Sequence, residues 1–179
     1  MMIGTIAVLG AGQMGNGIAQ VAALAGYNVV MVDIEQEYVD RGIATIQKSL
    51  SRLVTKDRIT QEDADSALAR IDTDTERSAC ADADLVVEAI PEIPEIKFSA
   101  FQDLDSICKP SAILASNTSS ISIDAIAEKT TRPDKVIGMH FMNPVPVMKL
   151  VEVINGSDTS NEVTEAVLLA AEKMGKTPL

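Results

Sequence analysis

Short apolar runs and longer amphipathic stretches alternate from one end of the chain to the other. The runs lie at Ile6–Leu9, Asn28–Val32, Leu85–Ile90, Ala112–Ala115 and Val136–Phe141. Near-continuous apolar character over so short a length is the pattern of strands buried on both faces of a sheet. Between them, apolar residues recur at every third or fourth position. The clearest case is Val39, Ile43, Ile46, Leu50 and Leu53, in a helix predicted over about Glu35 to Val54. Other helices are predicted from Gln13 to Ala25, with Gly26 as the stop, from a Thr60–Asp63 cap to Arg70, from Pro94 to about Ile107, and from Ser122 to about Lys129. Ile71–Thr75 reads as a short strand, and the alternating Lys149–Ile154 as another. Thr159 with Glu162 reads as a capping box for a last helix that stops at Gly175. Strand and helix in strict alternation imply an α/β fold with a mostly parallel, doubly wound sheet, helices on both faces and right-handed crossovers.

The first strand carries the most informative local motif. Ile6-Ala7-Val8-Leu9 runs into Gly10-Ala11-Gly12-Gln13-Met14-Gly15, a helix follows, and the second strand ends in Asp33. Strand, G-x-G-x-x-G, helix, strand and acid within about thirty residues form the fingerprint of a Rossmann-type dinucleotide site. Gly10 permits the tight turn. Gly12 has no side chain to obstruct a pyrophosphate, and Gly15 allows close packing of the helix. The free N–H groups and dipole of the new helix attract the phosphates. Asp33 can accept hydrogen bonds from the two ribose hydroxyls. A 2′-phosphate would be repelled there; Ile34 and Glu35 follow, and the first basic residue in the chain is Arg41. NAD is therefore expected over NADP, with FAD left open by the fingerprint alone. The plainer reading is a glycine loop that only packs a helix on a sheet.

Composition narrows the class. One domain fits 179 residues, and 46% hydrophobic content supports a sizeable core. Aromatics are only 3%, so aliphatic residues and Met must fill it. A net charge of −11 argues against nucleic acid or an anionic membrane surface as partner. Cys80 and Cys108 lack metal-ligand spacing and read as reduced small hydrophobes; with His140 the only histidine, no metal site is expected. Residues 1–40 hold no Lys or Arg, so they read as neither a signal n-region nor an Arg-rich transit segment, with a removed presequence left open, and no apolar run reaches membrane-spanning length. The expected location is the cytoplasm.

In doubly wound sheets, ligands bind beyond the carboxyl ends of the strands. Those ends carry Gly10, Asp33, the segment after Ile90, the polar loop Ser116-Asn117-Thr118-Ser119-Ser120, and His140. The loop alone would pass for a capped turn of small polar residues. A lone histidine is commonly a satisfied core or surface residue, but a strand's carboxyl end favours chemistry. Glu152, on a neighbouring predicted strand, is placed to orient the imidazole; a solvated strand carboxylate is the plain alternative.

The run Ala115 to Ser120, together with Gly138-Met139-His140-Phe141-Met142-Asn143-Pro144-Val145-Pro146-Val147-Met148-Lys149-Leu150-Val151-Glu152-Val153, resembles the 3-hydroxyacyl-CoA dehydrogenase family. The likeness extends along the whole chain, including Arg132-Pro133-Asp134-Lys135-Val136. It implies an NAD-dependent oxidoreductase acting at C3 of a (S)-3-hydroxyacyl-CoA or 3-ketoacyl-CoA, of short chain such as 3-hydroxybutyryl-CoA or acetoacetyl-CoA. By this resemblance His140 is the catalytic base, Glu152 its orienting carboxylate, and Ser119 the serine that holds the C3 oxygen. Gly10, Gly12, Gln13, Met14, Gly15 and Asp33 bind the cofactor, joined by Glu92, Lys97 and Asn117 around its ribose and nicotinamide. Ser49 and Lys56 contact coenzyme A, and Asn143 is a further substrate position. Alone, Lys56 would read as a solvated helix end. Met142 stands where the family usually has Phe, and Pro91 and Pro94 depart from its usual pattern.

Family members continue into a helical domain that supplies a further active-site asparagine, much of the acyl pocket and the homodimer interface. This sequence ends at Thr177-Pro178-Leu179, within the next predicted strand. It is therefore expected to be the NAD-binding domain (residues 1–179) of a longer enzyme, and to turn over slowly by itself. The competing reading is a binding module that holds NAD without catalysis.

Overall fold

The computed structural model describes all residues from Met1 to Leu179. Eight strands form one sheet: β1 (Thr5–Leu9), β2 (Asn28–Val32), β3 (Ile71–Asp74), β4 (Leu85–Glu88), β5 (Ile113–Ser116), β6 (Val136–Phe141), β7 (Leu150–Asn155) and β8 (Thr177–Pro178). Their spatial order is β3-β2-β1-β4-β5-β6-β7-β8. All pairs are parallel except β6 with β7. The helices are α1 (Gln13–Leu24), α2 (Gln36–Thr55), α3 (Gln61–Ala69), α4 (Pro94–Ile107), α5 (Ile123–Ala127) and α6 (Asn161–Lys173).

Both faces of the sheet are covered, which explains the unbroken apolar runs. Ile6 and Val8 of β1 pack with α1, α2, α3 and α6, whereas Ala7 and Leu9 pack with α4 and α5 on the opposite side. Period-two alternation is thus present in direction but hidden in composition. Few aromatics are needed: the two cores hold Phe101, Phe141 and Tyr27 among aliphatics, Met and Ala.

Local signals behave largely as chemistry dictates. Gly26 and Gly175 adopt positive φ just after α1 and α6. Thr60 and Asp63 form a reciprocal capping box, and Pro94 occupies the first turn of α4. Two expectations are corrected. The last helix is capped by Ser160, whose Oγ accepts from Val163 N, not by a Thr159–Glu162 box. Thr159 Oγ1 instead donates to the Val136 carbonyl and accepts from Gly156 N, so β6 takes that hydroxyl. The fourth strand ends at Glu88 rather than Ile90, because the Glu88 carboxylate turns back and captures the Ile90 amide.

Chain order reverses across the sheet between β1 and β4, since β2 and β3 lie on one side of β1 and β4 to β6 on the other. Crossovers on the two sides diverge there, which leaves a crevice at the carboxyl ends of β1 and β4.

Candidate functional site

The crevice opens first on the turn after β1. Gly10 has φ +113° and donates to the Val32 carbonyl, joining the turn to the end of β2. A Cβ on Gly15 would fall on the Gly10 carbonyl oxygen, so α1 can start this close to the strand only with glycine there. A Cβ on Gly12 would meet nothing within 4 Å; it would enter the open crevice. Helix α1 has no side-chain cap and no acidic residue in its first turn, so its amides and positive dipole end face the same space. Asp33 stands across the turn. One of its carboxylate oxygens accepts from Ala11 N at 2.8 Å and the other from Ile34 N at 2.7 Å. The cavity between them measures about 600 Å³ and is walled also by Tyr38, Ile90, Pro91 and Ile96. An uncapped helix, a glycine facing open space and a fixed strand-end acid fit a pyrophosphate and its ribose.

One premise of the cofactor argument needs correction. Arg41 and Arg77 are remote from Asp33 in sequence, yet both line this cavity. Each is already paired: Arg41 with Glu37 at 2.7 Å, and Arg77 with Asp103 at 2.6 Å. The case for NAD rests on Asp33 itself, not on a lack of nearby arginine.

Beyond Met14, Ala89 and Ile90, which border both spaces, lies a second cavity of about 320 Å³. Its walls bring together Glu92, Lys97, Asn117, Ser119, His140 and Asn143. Asn117 Oδ1 accepts from Phe141 N at 2.8 Å and so ties the loop after β5 to β6. Glu92 accepts from Thr118 Oγ1 at 2.7 Å, from Ser119 N at 3.0 Å and from Ser119 Oγ at 3.1 Å. Burial pushes its carboxyl up, but these hydrogen bonds and the Lys97 ammonium together outweigh burial and hold it below the usual range.

His140 and Glu152 are directly opposed in the antiparallel β6–β7 pair, which puts both side chains on one face. His140 Nδ1 lies 3.6 Å from Glu152 Oε2. That is an ion-pair distance rather than a hydrogen bond, and such contacts commonly tighten only when substrate is present.

A third cavity, of about 370 Å³, lies between α1, α2 and the Asn143–Pro146 segment. It contains Ser49, and it meets the rest of the crevice where Gln13 Nε2 donates to Asn143 Oδ1 at 3.1 Å. Lys56 does not reach it: that residue is the exposed C-cap of α2. Lys48 and Arg52 line the cavity instead. With Thr45 and Ser49 they occupy one face of α2, a spacing legible in the sequence but not read there.

Sheet order, crevice and phosphate-ready turn define a nucleotide-binding α/β domain. The model of the family described as 3-hydroxyacyl-CoA dehydrogenase, NAD binding domain, matches residues 5–179. The chain belongs to that family. It is 55% identical over 172 residues to a probable 3-hydroxybutyryl-CoA dehydrogenase of Deinococcus radiodurans, covering 96% of this chain and 62% of the relative. A Bacillus subtilis protein of the same description is 51% identical over 177 residues, covering 99% and 62%. Among solved structures, (S)-3-hydroxybutyryl-CoA dehydrogenase from Ralstonia eutropha superposes with a TM-score of 0.97 at 47% identity, over 99% of this chain and 63% of that one. The chain thus spans about three fifths of the length of these relatives.

Proposed function

We propose that this chain binds NAD and performs the proton transfer of a dehydrogenase that interconverts a short-chain (S)-3-hydroxyacyl-CoA and its 3-ketoacyl-CoA. The observation that carries the reading is the His140–Glu152 pair, set across β6 and β7 on the same cavity as Ser119 and Asn117.

When bound, NAD⁺ supplies the hydride acceptor for the alcohol carbon. The residues of the chain do the rest. Gly12 and the α1 amides receive the pyrophosphate, and Asp33 the ribose hydroxyls. Asn117 Nδ2 has no partner within the protein and faces the nicotinamide side with Lys97. Ser119 Oγ, held by Glu92, lines the same cavity as His140 and is the hydroxyl offered to the substrate C3 oxygen. His140 accepts the hydroxyl proton during oxidation and returns it during reduction. Glu152 keeps the imidazole oriented and stabilises its protonated form. Ser49, Lys48 and Arg52 offer a hydroxyl and two cations to the phosphorylated tail of coenzyme A, and Asn143 joins the two compartments.

We also assign residues 1–179 as the NAD-binding domain of the enzyme, because the NAD binding domain model matches residues 5–179 and the chain covers 62% of the relatives' length. We further place the protein in the cytoplasm, as expected from its sequence.

The test is NADH absorbance with acetoacetyl-CoA, run on this chain and on a form extended to the length of its relatives. NADH consumption that requires His140 supports the reading. No consumption in either form, with NADH demonstrably bound, overturns it in favour of a non-catalytic module.

A further inference from the structure

Glu88 is the last residue of β4, inside a strand that is otherwise Leu85, Val86 and Val87. It is completely buried, and Lys97, one turn into α4, is 2% exposed. Their charged groups are in direct contact. Neither takes part in proton transfer, and a buried ion pair is not by itself a good way to stabilise a protein. The connections of this pair indicate its use.

Glu88 Oε1 accepts from Ser116 Oγ at 2.6 Å, at the root of the Asn117–Ser119 loop. Oε2 accepts from Ile90 N at 2.9 Å, at the root of the Pro91–Glu92 loop. Lys97 Nζ donates to the Ile90 carbonyl at 3.1 Å and stands 3.5 Å from Glu92 Oε1. Glu92 in turn holds Ser119 through N and Oγ. A continuous chain of contacts therefore runs from Ser116 through Glu88, Lys97 and Glu92 to Ser119. Only two carboxylates lie within ion-pair range of the Lys97 ammonium. As long as Glu88 takes that charge at close range, Glu92 is left to Thr118 and Ser119.

We propose that Glu88 is a positioning residue for the nicotinamide side of the crevice: by neutralising Lys97 it leaves Glu92 free to hold the Asn117–Ser119 loop in its working place. Without the Glu88 charge, the buried ammonium draws Glu92 off Ser119, and the loops after β4 and β5 separate from their common anchor. This rests on the reading of that cavity as the nicotinamide site.

The adenosine side supplies an internal control, because Asp33 and the α1 amides make no hydrogen bond to this chain of contacts, which touches that side only where Ile90 borders both cavities. The experiment compares NADH with ADP-ribose, which lacks the nicotinamide, on wild type and Glu88→Gln by calorimetry and by the fluorescence of bound NADH. Wild type that binds neither ligand refutes the cofactor site itself, and with it the ground for the inference. Given wild-type binding, Glu88→Gln is expected to weaken NADH about tenfold, alter the fluorescence of what remains bound, and leave ADP-ribose within about twofold. Equal losses for both ligands would mean a general structural role and overturn the proposal, as would unchanged NADH binding. Where Glu88→Gln does not fold, Glu88→Asp keeps the charge but withdraws it by one methylene. The same selective loss of NADH, about threefold, is then expected, and wild-type NADH affinity in that variant would also overturn the proposal.

Discussion

The cavity at Asp33, which we assign to the adenosine, and the cavity at His140, which we assign to the nicotinamide, adjoin through Met14, Ala89 and Ile90, yet they are made differently. Main chain makes the first: a glycine at φ +113°, a glycine pressed on a carbonyl, a glycine facing open space, and one carboxylate held by two amides. Side chains from the ends of β4, β5 and β6 make the second, through a buried ion pair and a carboxylate shared among hydroxyls. Backbone geometry has no intermediate settings, since an added Cβ either fits or displaces the chain. A side-chain network can lose one contact and keep the others. Damage to the fold should therefore be all-or-none at the first side, according to whether the Cβ fits, and graded at the second.

The largest expected effect tests the first half of that contrast. Gly15→Ala places a methyl on the Gly10 carbonyl, and backbone on both sides cannot yield. Urea unfolding should show a loss of about 3 kcal/mol or more. Wild-type stability would show that the turn relaxes cheaply. Next, His140→Ala should lower turnover of acetoacetyl-CoA about 10²-fold or more with NAD affinity nearly unchanged, and Glu152→Gln should act in the same direction, no more strongly. Near-normal turnover in the His140 variant would remove it as the base. Gly12→Ala separates binding from folding on one turn. Its methyl meets no protein atom. Thermal stability should hold while calorimetry records NAD affinity falling about tenfold; an unaffected affinity would mean that the pyrophosphate passes elsewhere.

A comparable preference, about tenfold, is expected for NAD(H) over NADP(H), from repulsion between Asp33 and a 2′-phosphate. Equal affinities would show that Arg41 or Arg77 leaves its carboxylate to receive that phosphate.

The smallest effect concerns acid. Glu92 has a folded-state pKa below its ordinary value. Its contribution to stability is thus complete above the ordinary glutamate range and disappears as pH falls through the lowered value. Thr118→Val removes one of the hydrogen bonds responsible. Melting temperatures between neutrality and strong acid should decline less steeply in that variant, whereas parallel curves would assign the acid sensitivity to other carboxylates, such as Asp84 and Asp105.

Legibility in the sequence divides along the same line as construction. The glycine turn, Asp33, the strand runs and most helix caps could be read because each depends on neighbours in the chain. The adjacent hydroxyls of Thr159 and Ser160 could not be told apart, because a β6 carbonyl 23 residues away decides which one is free to cap. Arg77 reaches the adenosine cavity only because β3 lies beside β2. Glu88 is the one charge in the Leu85–Ile90 run, but its partner depends on how α4 turns back over β4. Lys56 was carried by resemblance to a position that the structure leaves at an exposed helix end.

The antiparallel pairing of β6 with β7 places a parity rule on the proposed reaction. A ladder alternates its faces with each residue, so His140 meets Glu152 only in this register. A slip of one residue along β7 presents Val151 or Val153, and a slip of two presents Leu150 or Ile154, none of which can orient an imidazole. The segment Met142–Lys149 that joins the strands is outside the ladder. That connection is itself pinned, with Asn143–Pro146 on the third cavity and the Val145 and Met148 carbonyls held by Lys176, so a change in its length moves that cavity and leaves the register alone. A single-residue insertion within β7 before Glu152 breaks the pair itself.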